Sequence, residues 1–156
     1  MRNDLQCHVY PARDFENKGE GMSQIRAYVS HPIRGIKGKD ATREDMEANN
    51  RRAIAFARIL RERFPTVEFY VPAEHDEFVL NAYEQGSLTE EEILAADCAI
   101  VRKCHFLLAL IMDEHISRGM IKEIVEATKH HMPAFIVAEN SDLSVIDIFL
   151  DAQMRG

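Results

Sequence analysis

The sequence predicts a single α/β domain built on a doubly wound parallel sheet, and three observations carry that expectation. Four short apolar segments, around residues 25–30, 67–71, 104–112 and 134–138, alternate with longer segments of helical period. Strands separated by helices pair in parallel, because a parallel neighbour is reached only through a crossover. At 156 residues, 46% hydrophobic and 29% charged, the chain holds enough for one core and too little for two ordinary domains.

Each element has a local reason. Residues 1–24 show no sustained period and carry Pro11, Gly19 and Gly21, so they read as an extension ahead of a domain spanning 25–156. Ile25, Ala27 and Val29 alternate with Arg26, Tyr28 and Ser30, a first strand ending at His31-Pro32; a loop containing Gly35 runs on to Asp40. Thr42, with Asp45 three residues on, caps a helix whose Met46, Ala53, Ile54, Ala57, Leu60 and Phe64 share a face until Pro65. Val67, Phe69 and Val71 form a short strand stopped by Pro72, and residues 73–86 read as a long loop of the functional kind. Ser87 and Glu90 read as a capping box for a helix through Ile93, Leu94 and Ala96, ahead of a buried strand over 104–112. Ser117 opens a helix bearing Ile121, Ile124, Val125 and Thr128, Pro133 ends the turn after it, and residues 134–138 and about 143–152 supply the last strand and helix. The pattern is flavodoxin- or Rossmann-like, so the turns after the first three strands should face one cleft at their carboxyl ends.

Composition excludes several classes. A formal charge of −7 argues against a general nucleic-acid surface, which needs clustered Lys and Arg. The longest apolar run, seven residues over 106–112, is far below the roughly 20 that span a bilayer, and the N-terminus has no apolar h-region, so a cytoplasmic protein is expected. Cys7, Cys98 and Cys104 make no CxxC pair and read as free thiols of a reducing compartment. Asp113-Glu114-His115 and His130-His131 match no zinc spacing; neither a metal nor another cofactor is expected.

Three groups of residues point to chemistry. Ser117, Gly119 and Glu123 stand where a buried strand gives way to a helix. Unpaired N–H groups there favour an anion, and Glu123, six residues on, points to about the same side. The alternative is a plain cap followed by a solvated Glu. Arg34 and Gly35, on the loop after the first strand, suit a phosphate, and Tyr28 stands where it could enter the cleft; otherwise they are a surface charge and a half-buried strand residue. Asp97 lies near a helix C-terminus, where the dipole disfavours a carboxylate, so it is either a structural partner or a group that protonates a leaving base or holds a sugar hydroxyl.

Together Tyr28, Ile33-Arg34-Gly35, Asp97 and Ser117-x-Gly119-x-x-x-Glu123 resemble the nucleoside 2-deoxyribosyltransferase superfamily over about residues 25–150, in particular its 2'-deoxynucleoside 5'-phosphate N-hydrolase branch. The resemblance implies hydrolysis of the N-glycosidic bond of a nucleoside 5'-monophosphate. Glu123 would be the nucleophile, Asp97 would assist base departure, and Tyr28 would line the base and sugar pocket. Ile33, Arg34, Gly35, Ser117 and Gly119 would hold the phosphate. It further implies a homodimer or higher oligomer in which Ser144 completes the neighbouring subunit's phosphate site. His31 stands where the family usually has Gly and is expected to narrow the pocket or touch substrate; Pro32 beside it is the transferase-like choice. Base transfer, or nucleotide binding without cleavage, are the alternatives.

Overall fold

The computed structural model describes residues 24–155; the expected N-terminal extension, but for Gln24, and Cys7 lie outside them. Four strands, β1 (Ile25–Ser30), β2 (Val67–Tyr70), β3 (Phe106–Ile111) and β4 (Ala134–Ala138), form one all-parallel sheet in the order β2-β1-β3-β4. Helices α1 (Arg43–Arg63), α2 (Asp76–Glu84), α3 (Glu90–Val101), α4 (Arg118–Lys129) and α5 (Ser144–Arg155) make the connections and flank the sheet, as the alternating pattern predicts.

The two faces bury different sets. Ala27 and Val29 of β1 and Phe106, Leu108 and Leu110 of β3 pack against Ala53, Phe56, Ala57 and Leu60 of α1 and Ile146 and Leu150 of α5. Edge-to-face contacts among Phe106, Phe135 and Phe149, with ring centroids 5.2 to 6.0 Å apart, fill the layer beneath α5. The strand period of two sends Tyr28, Leu107 and Ala109 the other way, onto Val101 of α3 and Met120 and Ala127 of α4.

The Thr42–Asp45 box forms as expected: Asp45 Oδ2 accepts from the Thr42 N–H at 2.9 Å and the Asp45 N–H donates to Thr42 Oγ1 at 3.2 Å. Three details differ from the sequence reading. Residues 73–86 are not a plain loop: Pro72–His75 makes a 3-10 turn with Pro at its start, and α2 follows. α2 fully buries no residue; Val79, Leu80 and Ala82 are half-buried, too short a stripe to announce the helix. Capping of α3 falls to Thr89, not Ser87; Glu92 accepts from the Thr89 N–H at 2.8 Å, while the Ser87 N–H bonds the Ala82 carbonyl at 2.9 Å and closes α2. Finally, β3 starts at Phe106, after the turn that contains Cys104.

Candidate active site

Tyr28 and Ser30 leave β1 on the same face, two residues apart, and both reach Glu123 in the second turn of α4. The Tyr28 hydroxyl donates to Glu123 Oε1 at 2.8 Å, and the Ser30 hydroxyl donates to Oε2. Glu123 is only 6% exposed and Tyr28 is fully buried, so the solvated-Glu alternative does not describe this residue. Burial pushes the Glu123 carboxyl up to about 7; the two hydroxyl bonds oppose the rise and the negative charge of Asp97 adds to it. A buried structural carboxylate ordinarily has a cationic partner, and among the described residues no ion pair engages Glu123.

Asp97 stands on α3 beside this group. Burial raises its carboxyl to about 6, with a smaller opposing effect from the Tyr28 hydroxyl. Tyr28 is itself pushed well above an ordinary phenol, first by burial and then by the Glu123 and Asp97 charges, so it stays a neutral donor. Tyr28, Asp97 and Glu123 therefore form one electrostatic unit. The Tyr28 ring stacks on Tyr70 at 5.7 Å, and Tyr70 stacks on His75 at 5.0 Å, an aromatic ladder from the carboxylate towards the surface.

The other expected residues lie around this unit rather than in it. Ser117 caps α4, its Oγ accepting from the Met120 N–H at 3.2 Å. A Cβ on Gly119 would meet only ordinary contacts, Ser117 Oγ at 3.8 Å and Leu94 Cδ1 at 3.9 Å, so the protein itself does not demand glycine there. The first-turn amides of Arg118 and Gly119 have no intrahelical acceptor. Ile33 is 36% exposed, and Arg34 is half-exposed with Nη1 3.6 Å from Glu90 Oε1 at the start of α3. Gly35 takes the left-handed region at φ +59°, and a Cβ on it would lie 2.6 Å from Asn49 Nδ2. Ser144 opens α5, its hydroxyl donating to Asp142 Oδ2 at 2.9 Å, with no bond to the carboxylate unit.

His31 runs against expectation. Its ring leaves on the opposite face of the sheet, buried against α1, with Nε2 2.8 Å from Asn50 Oδ1. Ser30, the last residue of the strand, ends the run of side chains facing Glu123, and the next residue necessarily turns the other way. His31 thus does not narrow the space over the carboxylate. A cavity of about 130 Å³ lies beyond this turn, lined by Arg34, Ile36, Lys37, Asp45, Ala48, Asn49 and Asp113.

The turn after β3 carries Asp113 and Glu114 at φ 52° and 56°, unusual for two successive non-glycine residues. Arg52 holds it in place, with Nη1 3.0 Å from Asp113 Oδ2 and Nη2 2.6 Å from Glu139 Oε2, tying α1 to the loops after β3 and β4. Among the described residues no three His, Cys, Asp or Glu side chains converge as metal ligands, and no helix is long and apolar enough to cross a membrane. Cys98 and Cys104 are free thiols, raised by burial, Cys104 to about 11.

Sequence reasoning missed Ser30, Tyr70, Asn49 and Asn50. Two of these carried a signal: Ser30 shares strand parity with Tyr28, and Asn50 interrupts the apolar stripe of α1 between Met46 and Ala53. No family model matches the chain, and neither a curated protein nor a solved structure matches it.

Proposed function

We propose that this protein hydrolyses the N-glycosidic bond of a nucleoside 5'-monophosphate, releasing free base and a sugar 5-phosphate. The observation that carries the reading is Glu123. It is a buried carboxylate held by two hydroxyls, with no cationic partner among the described residues and with a second raised carboxyl beside it. Burying a charge without a counter-ion is costly, and such pairs are typical of sites where the charge is used.

In this mechanism an oxygen of Glu123 attacks the anomeric carbon as the bond to the base nitrogen breaks through an oxocarbenium-like transition state. The electron pair of that bond leaves with the base, which takes a proton from Asp97. Water then attacks the glycosyl ester and gives its proton to Asp97, restoring both carboxyls. Both carboxyls rise into the neutral range, Glu123 the higher, so without substrate a single shared proton sits mainly on Glu123; the first step uses the other form, with Glu123 ionised and the proton on Asp97, and the apparent pKa values belong to the pair. Arg34 and the α4 N-terminus hold the phosphate, turning remote binding energy into orientation at the sugar. Glu90 is a weak, exposed partner for Arg34 and yields to a dianion. Ser144 of a second copy completes the phosphate site, which makes the working form a homodimer or larger assembly in the cytoplasm.

Incubation with a panel of ribo- and deoxynucleoside 5'-monophosphates, with chromatographic detection of free base, tests the reading. Base release without an added acceptor supports hydrolysis, release that requires a second free base means transfer, and binding without release by any substrate overturns the glycosidase assignment.

A further inference from the structure

Two consecutive side chains of α1, Asn49 and Asn50, both turn to the loop after β1. Asn50 is only 5% exposed, and its amide nitrogen donates to Asp76 Oδ2 at 2.7 Å. A carboxylate accepts and does not donate, so Asn50 Nδ2 faces Asp76 and Oδ1 faces His31; His31 Nε2 therefore carries the ring proton. Among the described residues, buried His31 Nδ1 has no partner, and a second proton there would be a buried donor with no acceptor among them. His31 is thus held neutral, in one tautomer, and linked through Asn50 to the first residue of α2.

Asn49 holds the same turn two residues further on. Its Nδ2 donates to the Ile33 carbonyl at 3.1 Å and occupies the space a Cβ of Gly35 would need. The Gly35 N–H closes the turn on the Pro32 carbonyl at 3.1 Å. His31 and Ile33 are therefore both hydrogen-bonded to α1 immediately ahead of Arg34, which is half-exposed and, among the described residues, has only Glu90 as a weak ion-pair partner. We infer that Asn49 and Asn50 are positioning residues that pre-set the Arg34 turn for an anionic ligand. This rests on the reading of Arg34 as the phosphate contact.

The test is a double-variant cycle on the full chain, with calorimetric affinities for the four common 2'-deoxynucleoside 5'-monophosphates and their parent nucleosides. Asn49→Ala should weaken monophosphate binding about fivefold, the scale of one hydrogen bond, and leave nucleoside binding unchanged. In an Arg34→Ala background the same change should have almost no further effect, because the two residues act through one element. Asn49→Leu, which keeps about the same size and removes the donor without adding a charge, should repeat the result and serves if the alanine variant misfolds. Asn50→Leu should behave similarly. Equal losses for both ligand classes, or a loss that persists without Arg34, would overturn the positioning role. Failure of the wild type to bind any monophosphate overturns the nucleotide reading and the positioning role with it. Wild-type binding that is unchanged in Asn49→Ala overturns the positioning role alone.

Discussion

Glu123→Gln should make the protein more stable at alkaline pH while removing its activity, and both effects arise from the same burial. Raising a carboxyl from its ordinary 4.5 to about 7 means that ionising it inside the fold costs on the order of 3 kcal/mol. Stability linked to this group is fully present below the unfolded value near 4.5 and is lost as pH rises through about 7, because the folded form holds the proton more tightly. Glutamine has no charge to bury. It must turn its amide nitrogen towards either Tyr28 or Ser30 and have that hydroxyl accept, which costs about 1 kcal/mol. The net gain is about 2 kcal/mol near pH 8.5 and close to zero near pH 5, or a difference in Tm of roughly 4–8 °C that appears only on the alkaline side. Scanning calorimetry of both proteins across that range measures it; Asp97 is present in both. A mutant less stable at every pH, or with the same pH slope as wild type, would refute the reasoning and mark Glu123 as a structural group. Base release should fall by several orders of magnitude, on the order of 10³ or more, while monophosphate binding survives.

The same geometry fixes the other expected outcomes. The pH profile of kcat/KM should be bell-shaped, its limbs near the apparent values of the Glu123–Asp97 pair, about 6 and about 7. Tyr28→Phe and Ser30→Ala each remove a donor that opposes the effect of burial, so each should raise the higher apparent value of the pair and move the alkaline limb of the profile to higher pH, as a titration of activity would record. Arg34→Ala should reduce kcat/KM for monophosphates roughly ten- to a hundredfold and leave nucleosides unaffected; equal losses would make Arg34 a residue of the fold. Gly35→Ala combines a left-handed φ with a contact on Asn49 and should lower stability by about 1–3 kcal/mol, read as a drop in Tm of several degrees.

The alternating β and α segments were legible because each buries one patterned face: Ala27 and Val29 against Tyr28, or Ala53, Ala57 and Leu60 along α1. α2 was not legible, since a nine-residue helix whose Val79, Leu80 and Ala82 are only half-buried leaves too short a period to read. At the site, Glu123 was placed by counting turns from Ser117, and the count brings its carboxylate to Tyr28. Its burial was not readable, because it depends on Ser30 and Tyr28 arriving from a strand more than 90 positions away in the chain. The direction of the His31 ring was not readable from its place in the loop; extending the parity of the strand before it by one residue turns it to the α1 side, where Asn50 meets it.

That parity also explains how one short segment serves two purposes. β1 is a central strand, with Tyr28 in register with Tyr70 of β2 on one side and Leu107 of β3 on the other. Pairing on both edges fixes the strand against slippage, and a slip of one residue would carry Tyr28 and Ser30 to the α1 side, leaving the Glu123 carboxylate in an apolar layer without donors. The same pairing sets the direction of the chain beyond Ser30. With the strand fixed, His31 must turn towards α1, where Asn50 meets it, and Asn49 then takes hold of the turn that ends at Gly35. The face that carries the carboxylates and the face that sets Arg34 are therefore coupled through the register of one strand. A change that loosens β1 should reduce phosphate selectivity and disturb Glu123 ionisation together, whereas a change in α1 alone should affect only the first.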